Sequence, residues 1–254
     1  MRIMFAIFQK QLADVLKNPT VTMNFVLFPL LALVVSTFMS PEDLDSRFIL
    51  IAPIAAMAVA QLPMLAMSMY ISEDVETKSL RFLVMAGVKP IQYLFGIALF
   101  AFILSIIAMG SFVLMIMGDL TGEYLLLFAG ISAVGLLASL AIGAMLGIIS
   151  KNVQQGMTFG TVLSMALAFT PMIAMANPDI MRATYFLFSQ QVSNIFNYIA
   201  MSSEFGSTEA AEVFYEGFGI EFSFSNALLI ILANFVVFAI LFLVVYKKRG
   251  LRLE

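Results

Sequence analysis

Six predominantly apolar stretches of this chain run for eighteen to twenty-six residues without one Asp, Glu, Lys or Arg: 22–39, 48–71, 94–117, 124–149, 157–176 and 226–246. No other feature limits the fold so sharply. A helix needs about 20 apolar residues to cross the hydrocarbon core of a bilayer. Composition agrees: the chain is 62% hydrophobic and 11% charged, against the roughly 45–50% apolar content of a soluble domain. The sequence therefore reads as all-α, a polytopic membrane protein with six transmembrane helices. Ahead of them, residues 1–17 place Met4, Phe8, Leu12, Val15 and Leu16 on one helical face and Lys10, Asp14 and Lys17 on the other. That pattern suits an N-terminal amphipathic helix lying in the membrane interface, or one packed on a protein neighbour. Asn18-Pro19 ends it, so the chain divides into an interfacial helix, 1–18, and a six-span domain, 19–254.

Charge orients the spans. If both termini share one side with the loops at 72–93 and 150–155, that side holds eleven of the thirteen basic residues and five of the sixteen acids, net +6. The other side has Arg47, Arg182 and eleven acids, net −9. Basic loops stay cytosolic, so a cell-membrane protein with both termini in the cytosol is expected. Residues 1–17 lack the apolar core and cleavage site of a signal peptide, so none is expected.

Several chemistries are closed to it. The chain has no cysteine and no histidine, which excludes disulfides, thiolate chemistry, and intramembrane proteolysis by a Ser–His pair or a His-bound metal. No GxxxxGK[ST] loop occurs, so the chain is not its own P-loop ATPase. Uncharged spans argue against ion-coupled carriers, which usually hold ionisable groups at membrane depth. No catalytic residues, bound cofactor, metal site or nucleic-acid partner are expected.

The polar segment Ser72 to Tyr93 joins the second and third spans on the basic side. It predicts a short helix capped by Ser72, with Glu73, Asp74 and Glu76 in its first turn. Leu80, Leu83, Val84 and Gly87 share one face, and Gly87 and Pro90 end the helix. Such a helix is either an ordered connector or a lever whose apolar face meets a partner. In the fourth and fifth spans, Gly135, Ser139, Gly143 and Gly147 recur every four residues, as do Gly156, Gly160, Ser164 and Ala168. Small residues at this spacing let helices approach closely in lipid. The short loop between the spans makes them antiparallel neighbours, packed within the chain or serving as a dimer face.

Residues 177–225 form the long outer segment. Phe188, Val192, Ile195, Phe196 and Ile199 follow a helical period, so a helix at or dipping into the outer leaflet is expected there. From Glu204 to Glu221 lie five acids and no base, either a solvated cap or an attractor of a cationic substrate. Asn24, Gln61, Ser105, Thr170 and Asn234 are polar at membrane depth. Asn24, Gln61, Thr170 and Asn234 are the candidate pathway-lining residues, with hydrogen bonding between helices as the alternative.

The layout resembles the ABC-2-type membrane subunits of ABC transporters. Three stretches carry the resemblance. Lys17-Asn18-Pro19 with Phe28-Pro29-Leu30-Leu31 is similar to the family's lead into its first span. Asp74-Val75-Glu76-Thr77-Lys78-Ser79-Leu80-Arg81-Phe82-Leu83 resembles its acidic-then-Thr-Leu cytosolic motif, and Gly96 matches a glycine early in the third span. Lys78 stands where Gly is usual and Arg81 where an acid is usual. The resemblance implies a permease subunit of an ATP-driven exporter, paired with a second permease subunit, the same chain or a relative. Two ABC ATP-binding subunits would carry ATP and Mg. Asp74, Glu76, Ser79, Leu80 and Leu83 would couple to that ATPase, and an amphipathic substrate such as a drug, antimicrobial peptide or lipid would leave by alternating access near residues 177–200. Two further readings stand beside it: a membrane-embedded solute-binding subunit of an uptake system, and a non-transporting immunity or scaffold protein.

Overall fold

The computed structural model describes residues 19–38, 47–116, 122–205, 214–219 and 221–251, together with Gln9. The interfacial helix expected at 1–17 and the acidic loop at 41–46 otherwise lie outside the described residues. Among the described residues there is no strand. The helices are α1 (Pro19–Phe38), α2 (Arg47–Glu76), α3 (Ser79–Met85), α4 (Pro90–Ile116), α5 (Gly122–Ile149), α6 (Val153–Ala176), α7 (Pro178–Ala183), α8 (Phe188–Phe205) and α9 (Phe224–Leu251). Stretches within α2, α4, α5, α6 and α9 are long and apolar enough to cross a membrane. The first expected span falls on α1, whose apolar stretch, Phe25–Val35, is shorter than the roughly 20 residues a bilayer core requires. By length and composition the described residues give five spans where the sequence predicts six.

α2 is the axis of the bundle. Of its apolar window 83% is buried, against 11% for α9. Its alanines, at 52, 55, 56, 58, 60 and 66, are all buried and hold neighbours at short range. α1, α4, α5, α6 and α8 all pack on it.

The two small-residue stripes pack within the chain, and both face this axis rather than each other. On α5, a Cβ at Gly135 would lie 2.7 Å from Val59, and one at Gly147 would lie 2.9 Å from the Ser68 carbonyl. Gly143 abuts the Met64 backbone, and the Ser139 hydroxyl donates to the Ala60 carbonyl at 2.6 Å. On α6, Gly156 abuts Ser72, a Cβ at Gly160 would stand 3.0 Å from Ser68, and the Ser68 hydroxyl donates to the Gly156 carbonyl at 2.7 Å. Ser164 is buried and bonds within its own helix to Thr161. Spacing alone shows that a helix has a close neighbour, not which neighbour. The alanine-rich α2 offers both stripes a flatter surface than they offer one another.

Residues 177–205 turn back into the bundle. Asn177 caps α7, accepting from the Asp179 N–H at 2.9 Å, with Pro178 at the first helical position. The turn after α7 reaches Asn234, whose amide donates to the Phe186 carbonyl at 3.0 Å. Asn234 lies ten residues into α9, about 15 Å along a helix. From there α8 runs against α2, α5, α6 and α9. Val192 meets Gly135, and Phe196 stacks on Phe128 with ring centroids 4.5 Å apart. α7 and α8 form a re-entrant pair.

Candidate functional site

Two places bring polar side chains together. The first is the end of the bundle that carries α3. Ser72 does not cap a short helix, as the sequence predicts; its hydroxyl donates to the Met69 carbonyl inside α2. Glu73, Asp74 and Glu76 form the last turn of α2, not the first turn of a lever. α2 ends at Glu76, and the turn after it passes through Lys78, whose φ of 59° is a left-handed conformation that few non-glycine residues adopt. The separate lever is seven residues long. It stops at Gly87, whose φ of 77° suits glycine alone.

Asp74 is 2% exposed. It accepts from the Ser79 hydroxyl at 2.7 Å and the Tyr93 hydroxyl at 3.0 Å. One carboxylate thus ties the end of α2 to the start of α3 and the start of α4, and Tyr93 in turn packs on Tyr246 of α9 at 6.0 Å. Each hydrogen bond to a charged group contributes about 1.5–3 kcal/mol, so these bonds hold the three helix ends together. Leu83 packs inward against the core, which corrects the expected apolar face. Among the described side chains of α3, Phe82 and Met85, at 64% and 58% exposed, are the apolar ones presented outward. Leu80 lies on its first turn, and its side chain is outside the described residues.

Glu76 turns the other way. Its carboxylate accepts from the Val153 N–H at 2.6 Å, at the N-terminus of α6, where a helix favours negative charge. Asn152 completes that cap by accepting from the Gln155 N–H at 2.8 Å. Beside it, an open groove of about 750 Å³ is lined by Glu76, Asn152, Gln154, Thr158 and Thr161, among others.

The second place is α8. Gln190, Ser193, Asn194 and Asn197 are all buried and lie at i, i+3, i+4 and i+7, on the face opposite Val192, Phe196 and Ile199. Gln190 donates to Asn194 at 2.8 Å, the Tyr215 hydroxyl donates to the Asn194 carbonyl at 2.8 Å, and Gln191 donates to the Tyr185 carbonyl. Burial pushes the Tyr215 hydroxyl far above its ordinary value, so it stays a donor. The hydroxyls of Ser189, Ser193 and Ser202, the Gln191 carbonyl oxygen and the Asn194 amide nitrogen are buried without a partner. Each such group costs about 1–3 kcal/mol.

Of the four candidate pathway residues, Gln61, Thr170 and Asn234 have described side chains. Thr170 bonds back to Ala166, and Asn234 to Ile230 as well as Phe186. Gln61 is half-buried on α2. Asn24 lies on α1, with its side chain outside the described residues. Among the described residues no hydrogen bond joins any two of the four. The sequence reading missed the α8 stripe because it followed only the apolar period there, although the polar residues repeat at the same spacing.

A protein-family profile described as ABC-2 family transporter protein matches residues 4–246. The chain belongs to the ABC-2 transporter family. No curated protein matches it. Membership makes the chain a multi-pass permease subunit of an ABC transporter, a transport component that associates with an ABC ATP-binding subunit.

Proposed function

We propose that this ABC-2 protein is the membrane half of an exporter, with α3 as the element through which a separate ATPase drives it. The observation that supports the reading most is the Asp74 junction. Asp74 is too buried to touch a partner, but it fixes α3 to α2 and α4 while Phe82 and Met85 stay exposed at its surface. A push on α3 is then delivered to the axial helix and to its neighbour together. Of the expected coupling residues, Asp74 and Ser79 position α3, Glu76 holds the start of α6, Leu83 seats α3, and Leu80 belongs to its first turn. Two ATP-binding subunits carry ATP and Mg, a second permease subunit completes the pathway, and an amphipathic substrate crosses by alternating access.

The test is co-purification in mild detergent from the native host. A P-loop ATPase at near-equal amounts is expected, and Phe82→Asp with Met85→Asp lowers its recovery while the folded permease is retained. A chain that purifies without an ATPase overturns the reading. Wild-type recovery with both changes overturns the docking surface. Direction is read separately, as ATP-dependent uptake of a hydrophobic cationic dye into inside-out vesicles.

A further inference from the structure

The polar stripe of α8 is unlike the rest of the bundle's interior. The other serines and threonines inside the spans for which a bond is shown return to a backbone carbonyl: Ser105 to Ala101, Ser132 to Phe128, Ser139 to Ala60, Thr170 to Ala166. Those of α8 do not. Ser189, Ser193 and Ser202 are at most 1% exposed, and their hydroxyls have no partner. The Asn194 amide nitrogen and Gln191 oxygen also lack a partner; of these five groups Ser193 and Asn194 lie on the face of Gln190 and Asn197, and the others on the flanks of α8. In lipid or protein such groups are disfavoured unless something hydrogen-bonds to them. On its polar side α8 is held by the Tyr215 hydroxyl at the Asn194 backbone carbonyl and by a weak link from Asn197 to the sulfur of Met175 at 3.8 Å. On its apolar side Val192 and Phe196 meet Gly135 and Phe128.

We propose that the Gln190–Ser193–Asn194–Asn197 face of α8 is a hydrogen-bonding substrate surface in the outer half of the bundle, wetted when the re-entrant pair shifts during transport. It rests on the permease reading above. The ligand class follows from the side chains. Amides and hydroxyls both donate and accept but cannot offset a desolvated charge. The part of the substrate that passes here therefore carries uncharged groups, such as peptide amides or sugar hydroxyls. The charged residue nearest in sequence is Glu204, on the last turn of α8 seven residues beyond Asn197, with its side chain outside the described residues; Arg182 and Asp179 are both exposed and face each other at 3.9 Å, outside the stripe.

The chain has no cysteine, so single-cysteine chemistry is clean. Ser193→Cys is assembled with the ATPase, and complex formation is checked first. Membrane-impermeant thiosulfonates, one neutral and one bearing trimethylammonium, are then added from the side of Glu216. Rates are normalised to the exposed Glu216→Cys. Ser139→Cys, buried between α5 and α2, serves as the silent control. The expected result is that Ser193→Cys reacts about tenfold faster during ATP turnover than without ATP, as for a state moved from minor to major. The neutral reagent outpaces the charged one. No reaction in either condition overturns the wetted surface. An equal rate with and without ATP overturns the shift of α8. Preference for the cationic reagent overturns the ligand class. Failure to bind an ATPase at all is seen before labelling and counts against the permease reading itself.

Discussion

Gly143 and Gly110 are both glycines inside apolar helices, yet they carry opposite expectations. A Cβ at Gly143 would run into the Met64 backbone and stand 2.9 Å from Met67 Cβ, whereas one at Gly110 meets nothing within 4 Å. Gly143→Ala should destabilise the detergent-solubilised protein by about 1–3 kcal/mol, the range for overpacking against atoms that cannot yield. Gly110→Ala should stabilise it by about 0.5–1 kcal/mol through helix propensity. Thermal unfolding followed by circular dichroism separates the two, and equal effects would mean that α5 is not pressed on α2. Tyr215 gives a pH test. Its folded value is raised by burial, so the stability it contributes is complete below the unfolded value of about 10 and is lost as pH climbs above it. Tyr215→Phe should lessen the fall in unfolding temperature above pH 10. An identical alkaline profile in the variant would remove Tyr215 from that account.

Elements show where the sequence was legible and where it was not. The spans of α2, α4, α5, α6 and α9 could be read from length and apolar content alone, because lipid imposes both. The end of α2 could not. Glu73, Asp74 and Glu76 look like the first turn of a new helix, since acids favour an N-terminus. Their tertiary partners decide otherwise: Asp74 is claimed by Ser79 and Tyr93, and Glu76 does favour an N-terminus, but that of α6, seventy-seven residues on. The turn that separates α2 from α3 falls at Lys78, where the family's usual glycine would have marked it. Glu76→Gln therefore has a local expectation. Loss of a charge at an exposed helix start costs about 0.3–1 kcal/mol, so global stability should barely change. The Val153 amide should exchange with deuterium several-fold faster, by mass spectrometry of the peptide spanning 150–158. Unchanged exchange there would mean that the cap at Asn152 suffices alone.

At the scale of the whole molecule, charge and packing make independent statements about the same axis. The packing puts α3, the start of α6 and the end of α9 at one end of the bundle, and the re-entrant tip and residues 214–219 toward the other. The sequence expects net +6 on the side of the loops at 72–93 and 150–155 and −9 on the other, so the positive-inside rule predicts that the first end faces the cytosol. The packed ends contain residues whose side chains are exposed and far from any span's middle: Gln154 at one, Glu216 at the other. Because the chain lacks cysteine, Gln154→Cys and Glu216→Cys each report a single site. In sealed right-side-out vesicles an impermeant maleimide should label Glu216→Cys at once and Gln154→Cys only after the membrane is opened. The reverse pattern would place α3 outside the cell, beyond reach of any ATPase, and would sink the coupling assignment however well the Asp74 junction is built. Labelling of both before opening would mean that the two ends share a side. The axial helix α2 would then not cross the membrane, against the apolar run that so constrained the fold.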